Sequence, residues 1–201
     1  MTQHWRAQFT LPENGPKGLE EYTYYTDYQG LRLISLNSVE MIDVQAAWLD
    51  RVLSDNPNRW SILVFHYPLF SLKKDRDHAE LRETWKPILD KHHVDLVLTG
   101  HDHSYARSGL MDSTVYVTSV AGAKLHEVVR RPWMKRTAED TQLFHVITVD
   151  QEKLVFETRT ATGSLYDAFE LWKQLGETNR FVDKIPDGVS ERARPRNKET
   201  N

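Results

Sequence analysis

The spacing of polar and apolar positions along this chain changes several times, and each change marks an element. Glu21 to Tyr28 is aromatic and threonine-rich with rough alternation, Gln29-Gly30 supplies a turn, and Leu31 to Leu36 alternates again; together they predict a β-hairpin. From Asp43, a residue suited to cap a helix, Val44, Ala47, Trp48, Val52 and Leu53 recur at helical spacing until Asn56-Pro57 stops them. Trp60 to Phe65 is short and apolar at almost every position, as expected of a strand covered on both faces. A second helical pattern runs from about Asp77 to His92, with Leu81, Trp85, Ile88 and Leu89 on one face and Pro87 as a kink. Val94 to Leu98 repeats the buried-strand pattern, so this stretch reads as a β-α-β unit with parallel strands.

Downstream, Thr114 to Val120, Leu143 to Asp150, Lys153 to Thr160 and Leu165 to Leu171 alternate in the β manner with turn signals between them, which predicts antiparallel sheet. The opening stretch to about Leu19, with Leu11-Pro12-Glu13-Asn14-Gly15-Pro16, reads as irregular loop. After Gly176 the chain turns polar, and Ser190 to Asn201 has almost nothing to bury, which predicts a mobile tail. The fold class is therefore α/β with mixed sheets: residues 1–175 form the domain and 176–201 the tail.

Composition narrows the classes of function. An apolar share of 39%, with six Trp, eight Tyr and seven Phe among 201 residues, supports one domain with a substantial core. The net charge of −3 comes from interleaved acids and bases, so no basic stripe is available for a nucleic-acid backbone. With no cysteine there is no disulfide framework, zinc–thiolate site or thiol nucleophile, and any metal must be held by His, carboxylate or amide. Met1 to Arg6 has no apolar run behind it, so neither a signal peptide nor a membrane span is read in the chain as given.

Chemistry is suggested by where three of the nine histidines fall. His66 ends one buried strand, and His101 and His103 follow the end of the next. In open parallel sheets the crevice beyond those ends is where ligands bind. If Gly100-His101-Asp102-His103 is extended, the two histidines point the same way, and Gly100 allows the sharp turn after the strand. Three imidazoles meeting at one place gain most from a shared divalent metal. Of the other six, His4, His92, His93, His126 and His145 lack such placement and read as structural or surface residues. The run Arg130-Arg131-Pro132-Trp133-Met134-Lys135-Arg136 reads as a solvated loop.

Val64-Phe65-His66-Tyr67-Pro68-Leu69-Phe70-Ser71, followed by Gly100-His101-Asp102-His103-Ser104-Tyr105-Ala106-Arg107-Ser108, resembles the last two metal motifs of purple acid phosphatases and related calcineurin-like metallophosphoesterases. The resemblance runs from about Trp5 to about Leu171. It implies the C-terminal portion of a β-sandwich flanked by helices, the four-layer metallophosphoesterase fold, with N-terminal strands missing. It further implies that His66 and His101 bind one metal and His103 another, the two ions being Fe, Zn or Mn, and that phosphate esters are hydrolysed there. His78 falls where related phosphatases place a histidine that contacts the phosphate or protonates the leaving oxygen, and Tyr105 and Arg107 fall where they could steer the phosphate. Asp102 could orient a ligand's second nitrogen.

The family's earlier motifs supply the carboxylates, and this sequence has no Gly-Asp and no Asn-His pair. The resemblance therefore implies that the chain furnishes the histidine side of the site, that a missing N-terminal half is its partner, and that a full-length precursor would be exported. The competing expectation is a non-catalytic relative, or a β-rich module that binds one metal or a partner through the same histidines.

Overall fold

A computed structural model of the chain describes residues 4–194. Short helix α1 (Trp5–Gln8) precedes a hairpin of β1 (Tyr24–Tyr28) and β2 (Leu31–Ser35). Then follow α2 (Ile42–Ser54), β3 (Trp60–Val64), α3 (Ala79–Lys91) and β4 (Leu96–Thr99). Three further strands, β5 (Tyr105–Met111), β6 (Thr114–Thr118) and β7 (Met134–Ala138), complete a seven-stranded sheet of order β1-β2-β3-β4-β6-β5-β7. Its strands β2, β3, β4 and β6 are parallel, while β1, β5 and β7 join in antiparallel fashion. The remaining strands, β8 (Leu143–Val149), β9 (Lys153–Thr160), β10 (Leu165–Trp172) and β11 (Arg180–Asp183), make a four-stranded antiparallel sheet of order β11-β10-β9-β8.

The alternation of β3 and β4 assigns their two faces to two cores. Leu63 and Val97 face Trp48 and Leu49 of α2 and Trp85 and Leu89 of α3, all buried. Their neighbours Ile62 and Leu96 face Leu154, Phe156, Phe169 and Leu171 of the smaller sheet. Because both faces are covered, these strands carry no polar alternation, which is why they read as continuous apolar runs. Each such side chain contributes about 1.5–3 kcal/mol by leaving water. The layers are thus helices, large sheet and small sheet, with both sheets packed face to face.

Helix α2 begins one residue before Asp43. Met41, in left-handed backbone at φ 54°, takes the N-cap position without a side-chain cap, and Asp43 sits in the first turn near the positive end of the helix dipole. The entry loop is fastened instead by buried Gln45. Its Nε2 donates to the carbonyls of Asn37 and Glu40, both at 2.6 Å, and its Oε1 accepts from Asn37 N and Thr23 Oγ1, both at 2.8 Å. Pro87 lies inside α3 without ending it.

The polar stretch after Gly176 is partly structured. Strand β11 pairs with β10, Arg192 forms a parallel bridge with Ala138, and Glu191 accepts from Thr137 N at 2.9 Å and from Arg130 at 2.6 Å. Its polarity serves ion pairs and backbone pairing against the sandwich, so the mobile tail expected from Ser190 to Asn201 is fastened over Glu191 to Arg194; the rest of it, 195–201, lies outside the described residues. Among the described residues no helix is long and apolar enough to cross a membrane.

Candidate metal centre

Parallel pairing brings the carboxyl ends of β3 and β4 to one rim. Beyond it the two chains stay hydrogen-bonded, with Phe65 N donating to Leu98 O and Gly100 N donating to His66 O, both at 3.1 Å. The pairing sets His66 against His101: His66 Nε2 and His101 Nδ1 are 3.1 Å apart. Tyr67 packs its ring 4.3 Å from that of His101, and His78 stacks on Tyr67 at 4.8 Å with the planes 5° apart. The His78 ring also stands 5.7 Å from that of His101. One cluster therefore holds His66, Tyr67, His78 and His101. The His78 Nε2 is buried there and has no hydrogen-bond partner among the described residues.

His103 is engaged elsewhere. Its Nδ1 lies 2.9 Å from the carbonyl oxygen of Lys124, and its ring is 5.3 Å from that of His126. Since a carbonyl only accepts, Nδ1 carries a proton, and in the neutral ring Nε2 is then the nitrogen with the lone pair. The structure thus brings together two of the three predicted ligands and separates the third.

The reason is the backbone of the turn. Residues 101–104 are bent rather than extended, with His101 at φ 67° and His103 at φ 54°, both left-handed. The expectation that an extended Gly-His-Asp-His points both rings one way is thereby corrected. Nor is Gly100 the residue in unusual backbone. A methyl group there would sit 3.7 Å from His66 Nδ1, an ordinary contact. Left-handed non-glycine residues are uncommon and concentrate at functional sites.

Asp102 reaches no histidine nitrogen, contrary to the role read from the sequence. It is fully buried, and its carboxylate accepts from Ser71 Oγ at 2.9 Å, Leu72 N at 2.6 Å and Arg76 Nη1 at 2.6 Å.

Burial, helped by the nearby charge of Arg76, holds the His101 imidazole down to about 4, and burial also lowers His78. Both rings are therefore neutral near pH 7, the form that presents a lone pair.

Tyr105 and Arg107 are corrected as phosphate contacts. Neither has exposed surface; the Tyr105 hydroxyl donates to Asp167 Oδ2 at 2.7 Å and Arg107 holds the same carboxylate through Nε at 2.8 Å and Nη2 at 3.0 Å. Residues two apart on β5 share a face, and this face lies between the sheets. Of the other histidines, His126 joins the site beside His103, which its position in a loop gave no means of foreseeing. His145 is an interior residue between Thr158 Oγ1 at 3.0 Å and Ser119 Oγ at 2.5 Å, and His92 pairs with Asp50 at 2.6 Å. The basic run is not simply solvated: Arg136 is buried, donating to the carbonyls of Tyr166 and Val189, and Arg130 pairs with Glu191.

The donor chemistry suits a metal in part. Two imidazole nitrogens on one ion, each at about 2.0–2.1 Å, lie about 3 Å apart, which matches the His66–His101 separation. A backbone carbonyl on the other nitrogen, as at His103, is a usual support for a ligating histidine. Carboxylates are lacking, however, and among the described residues no three His, Cys, Asp or Glu side chains are grouped to hold a metal. Beside His66 opens a cleft of about 720 Å³ lined by Trp5, Phe9, Tyr22, Tyr24, Val39 and Val64.

Comparison with known proteins matches residues 3–105 to the calcineurin-like phosphoesterase family. Purple acid phosphatase 17 of Arabidopsis thaliana is 38% identical over 77 residues, covering 38% of this chain and 23% of that protein. Tartrate-resistant acid phosphatase type 5 of Oryctolagus cuniculus is 32% identical over 85 residues, covering 42% and 26%. In fold, the chain is similar to purple acid phosphatase PPD1 from yellow lupin seeds, with a TM-score of 0.68, 20% identity, and coverage of 81% of this chain and 34% of that one. The chain spans about a quarter of the length of these curated relatives.

Proposed function

Because the chain belongs to the calcineurin-like phosphoesterase family, and the matched segment runs through both histidine motifs, we propose that it supplies the histidine side of a metal-dependent site for phosphate-ester hydrolysis. The carrying observation is the His66–His101 pair, whose nitrogens stand 3.1 Å apart at the rim of a parallel sheet. In this reading His66 and His101 hold one ion and His103, through Nε2, belongs to the second. Bound there, ions such as Fe, Zn or Mn would supply positive charge against the phosphate oxygens and lower the pKa of a water nucleophile. His78, with its unpartnered Nε2 as the atom concerned, contacts the phosphate or, in the fraction that carries a second proton, passes it to the leaving oxygen. Tyr67 fixes the planes of His78 and His101 by packing against both.

Imidazoles alone do not neutralise two multivalent cations, so the carboxylates come from polypeptide beyond the described residues, an N-terminal half of the catalytic domain. The apolar cleft beside His66 is the place for it to seat. There Val39 is 63% exposed and Phe9 45% exposed, apolar surface that a partner would cover.

That no three-donor group is found among the described residues favours a second reading, a non-catalytic module that binds one metal or a partner through the same histidines. Metal analysis and p-nitrophenyl phosphate turnover separate the two. Two metals per chain once a polypeptide carrying the family's carboxylate motifs is added, with turnover lost in His101→Ala, is the result expected of the hydrolase. One metal or none, without turnover even when a polypeptide carrying the family's carboxylate motifs is added, assigns the module.

A further inference from the structure

Asp102 stands between the two histidines of the turn, and its side chain is wholly withdrawn from solvent. All three groups that donate to it, Ser71 Oγ, Leu72 N and Arg76 Nη1, belong to the loop between β3 and α3. That loop starts at the strand end carrying His66 and finishes at His78, the residue before α3. One buried carboxylate thus fastens the segment bearing His66 and His78 to the turn bearing His101 and His103.

The same bonds account for the backbone of the turn. Left-handed conformation at two non-glycine residues is unfavourable and persists only where surrounding contacts over-determine it. Bonds to an ionised, buried acceptor are about twice as strong as neutral ones. With Asp102 drawn inward, its neighbours leave the turn in different directions: His101 meets His66 and Tyr67, whereas His103 meets Lys124 O and His126. Arg76 closes the arrangement from outside, since its side chain is 35% exposed and contributes a single nitrogen.

We propose that Asp102 is a positioning residue: clamped by Ser71, Leu72 and Arg76, it divides the turn so that His101 and His103 serve two separate ligand positions. That these positions take metal rests on the function proposed above; that Asp102 places the rings does not.

The test uses the 201-residue chain, metal-free in chelator, with Arg76→Gln, Arg76→Lys and Asp102→Asn. Amide hydrogen exchange is read at Leu72, and imidazole resonances at His101 and His103, with His145 as an internal reference. Arg76→Gln and Asp102→Asn are expected to speed exchange at Leu72 by about tenfold or more. They should also shift both turn histidines while leaving His145 in place. Arg76→Lys, which keeps a cation able to make one bond, should stay near wild type. Unmoved His101 and His103 resonances in Arg76→Gln, or a Lys variant no better than the Gln variant, overturns the proposal. If Asp102→Asn does not fold, the Arg76 pair alone decides. In a second arm, zinc affinity should fall about tenfold in Arg76→Gln and recover in Arg76→Lys. Failure of the wild-type chain to bind zinc would count against the metal reading, and the resonance arm would still decide the positioning role.

Discussion

Arg107 is sealed between the sheets with its guanidinium on Asp167, and the Tyr105 hydroxyl donates to the same carboxylate. Replacing Asp167 with Asn leaves this buried cation only the partly exposed Asp183 as counter-charge, and removing one partner of a buried pair costs about 3–5 kcal/mol. The urea midpoint should drop accordingly, and an unchanged midpoint would contradict the assignment. These two residues follow the histidine motif in sequence, which makes them look like part of the site. Only the pleat of β5 shows that they face inward. His145 offers a second test at this scale. Burial holds its imidazole down to about 4, below the value of about 6.5 in an unfolded chain. Between those values the unfolded state binds more protons. The stabilisation is therefore complete above pH 6.5 and is lost as pH falls toward 4, by about 2–3 kcal/mol. In His145→Gln, stability should lose about that much of its pH dependence between pH 6.5 and 4, measured by urea unfolding across the range; an unaltered slope would refute the interior role.

At the scale of elements, the hairpin, α2, β3, α3 and β4 were legible because their periods are strong and turn residues bound them. Strands β5 and β7 were not, since their buried positions include polar side chains whose hydrogen bonds appear only in the folded molecule, and β11 was not because it is four residues long with no buried position to set a period. Ser108 accepts from Tyr116 N at 2.9 Å, and Thr137 and Arg136 of β7 are buried. A sequence reading treats such residues as loop. The left-handed turn at His101 and His103 escaped for a related reason, because neither is a glycine and the clamp on Asp102 comes from a distant segment. The opening loop makes a sharper prediction. A methyl group on Gly15 would lie 1.8 Å from the carbonyl oxygen of Thr23, a backbone atom one residue before β1. Gly15→Ala should therefore push this loop off the hairpin and destabilise the fold by about 1–3 kcal/mol; a thermal midpoint equal to wild type would show that the loop can move without cost.

Across the whole molecule, the two sheets and their helical cover form a scaffold whose parallel strand ends bring His66 and His101 to one rim. The family and the α/β sandwich were readable from motif and period together. The resemblance set His66 and His101 apart from His103, but the bent turn that separates them, and the packing of Tyr67 on one side and His126 on the other, were not readable, because they depend on how that turn is held. If the rim is a metal site, its first ion is gripped by the His66–His101 pair. Calorimetric titration of the chelator-treated chain with zinc, alongside His66→Ala and His101→Ala, measures this directly. One ion should bind per wild-type chain, with affinity at least about tenfold weaker in each variant. A wild-type chain that takes up no zinc, or variants that bind as tightly as wild type, would contradict the account.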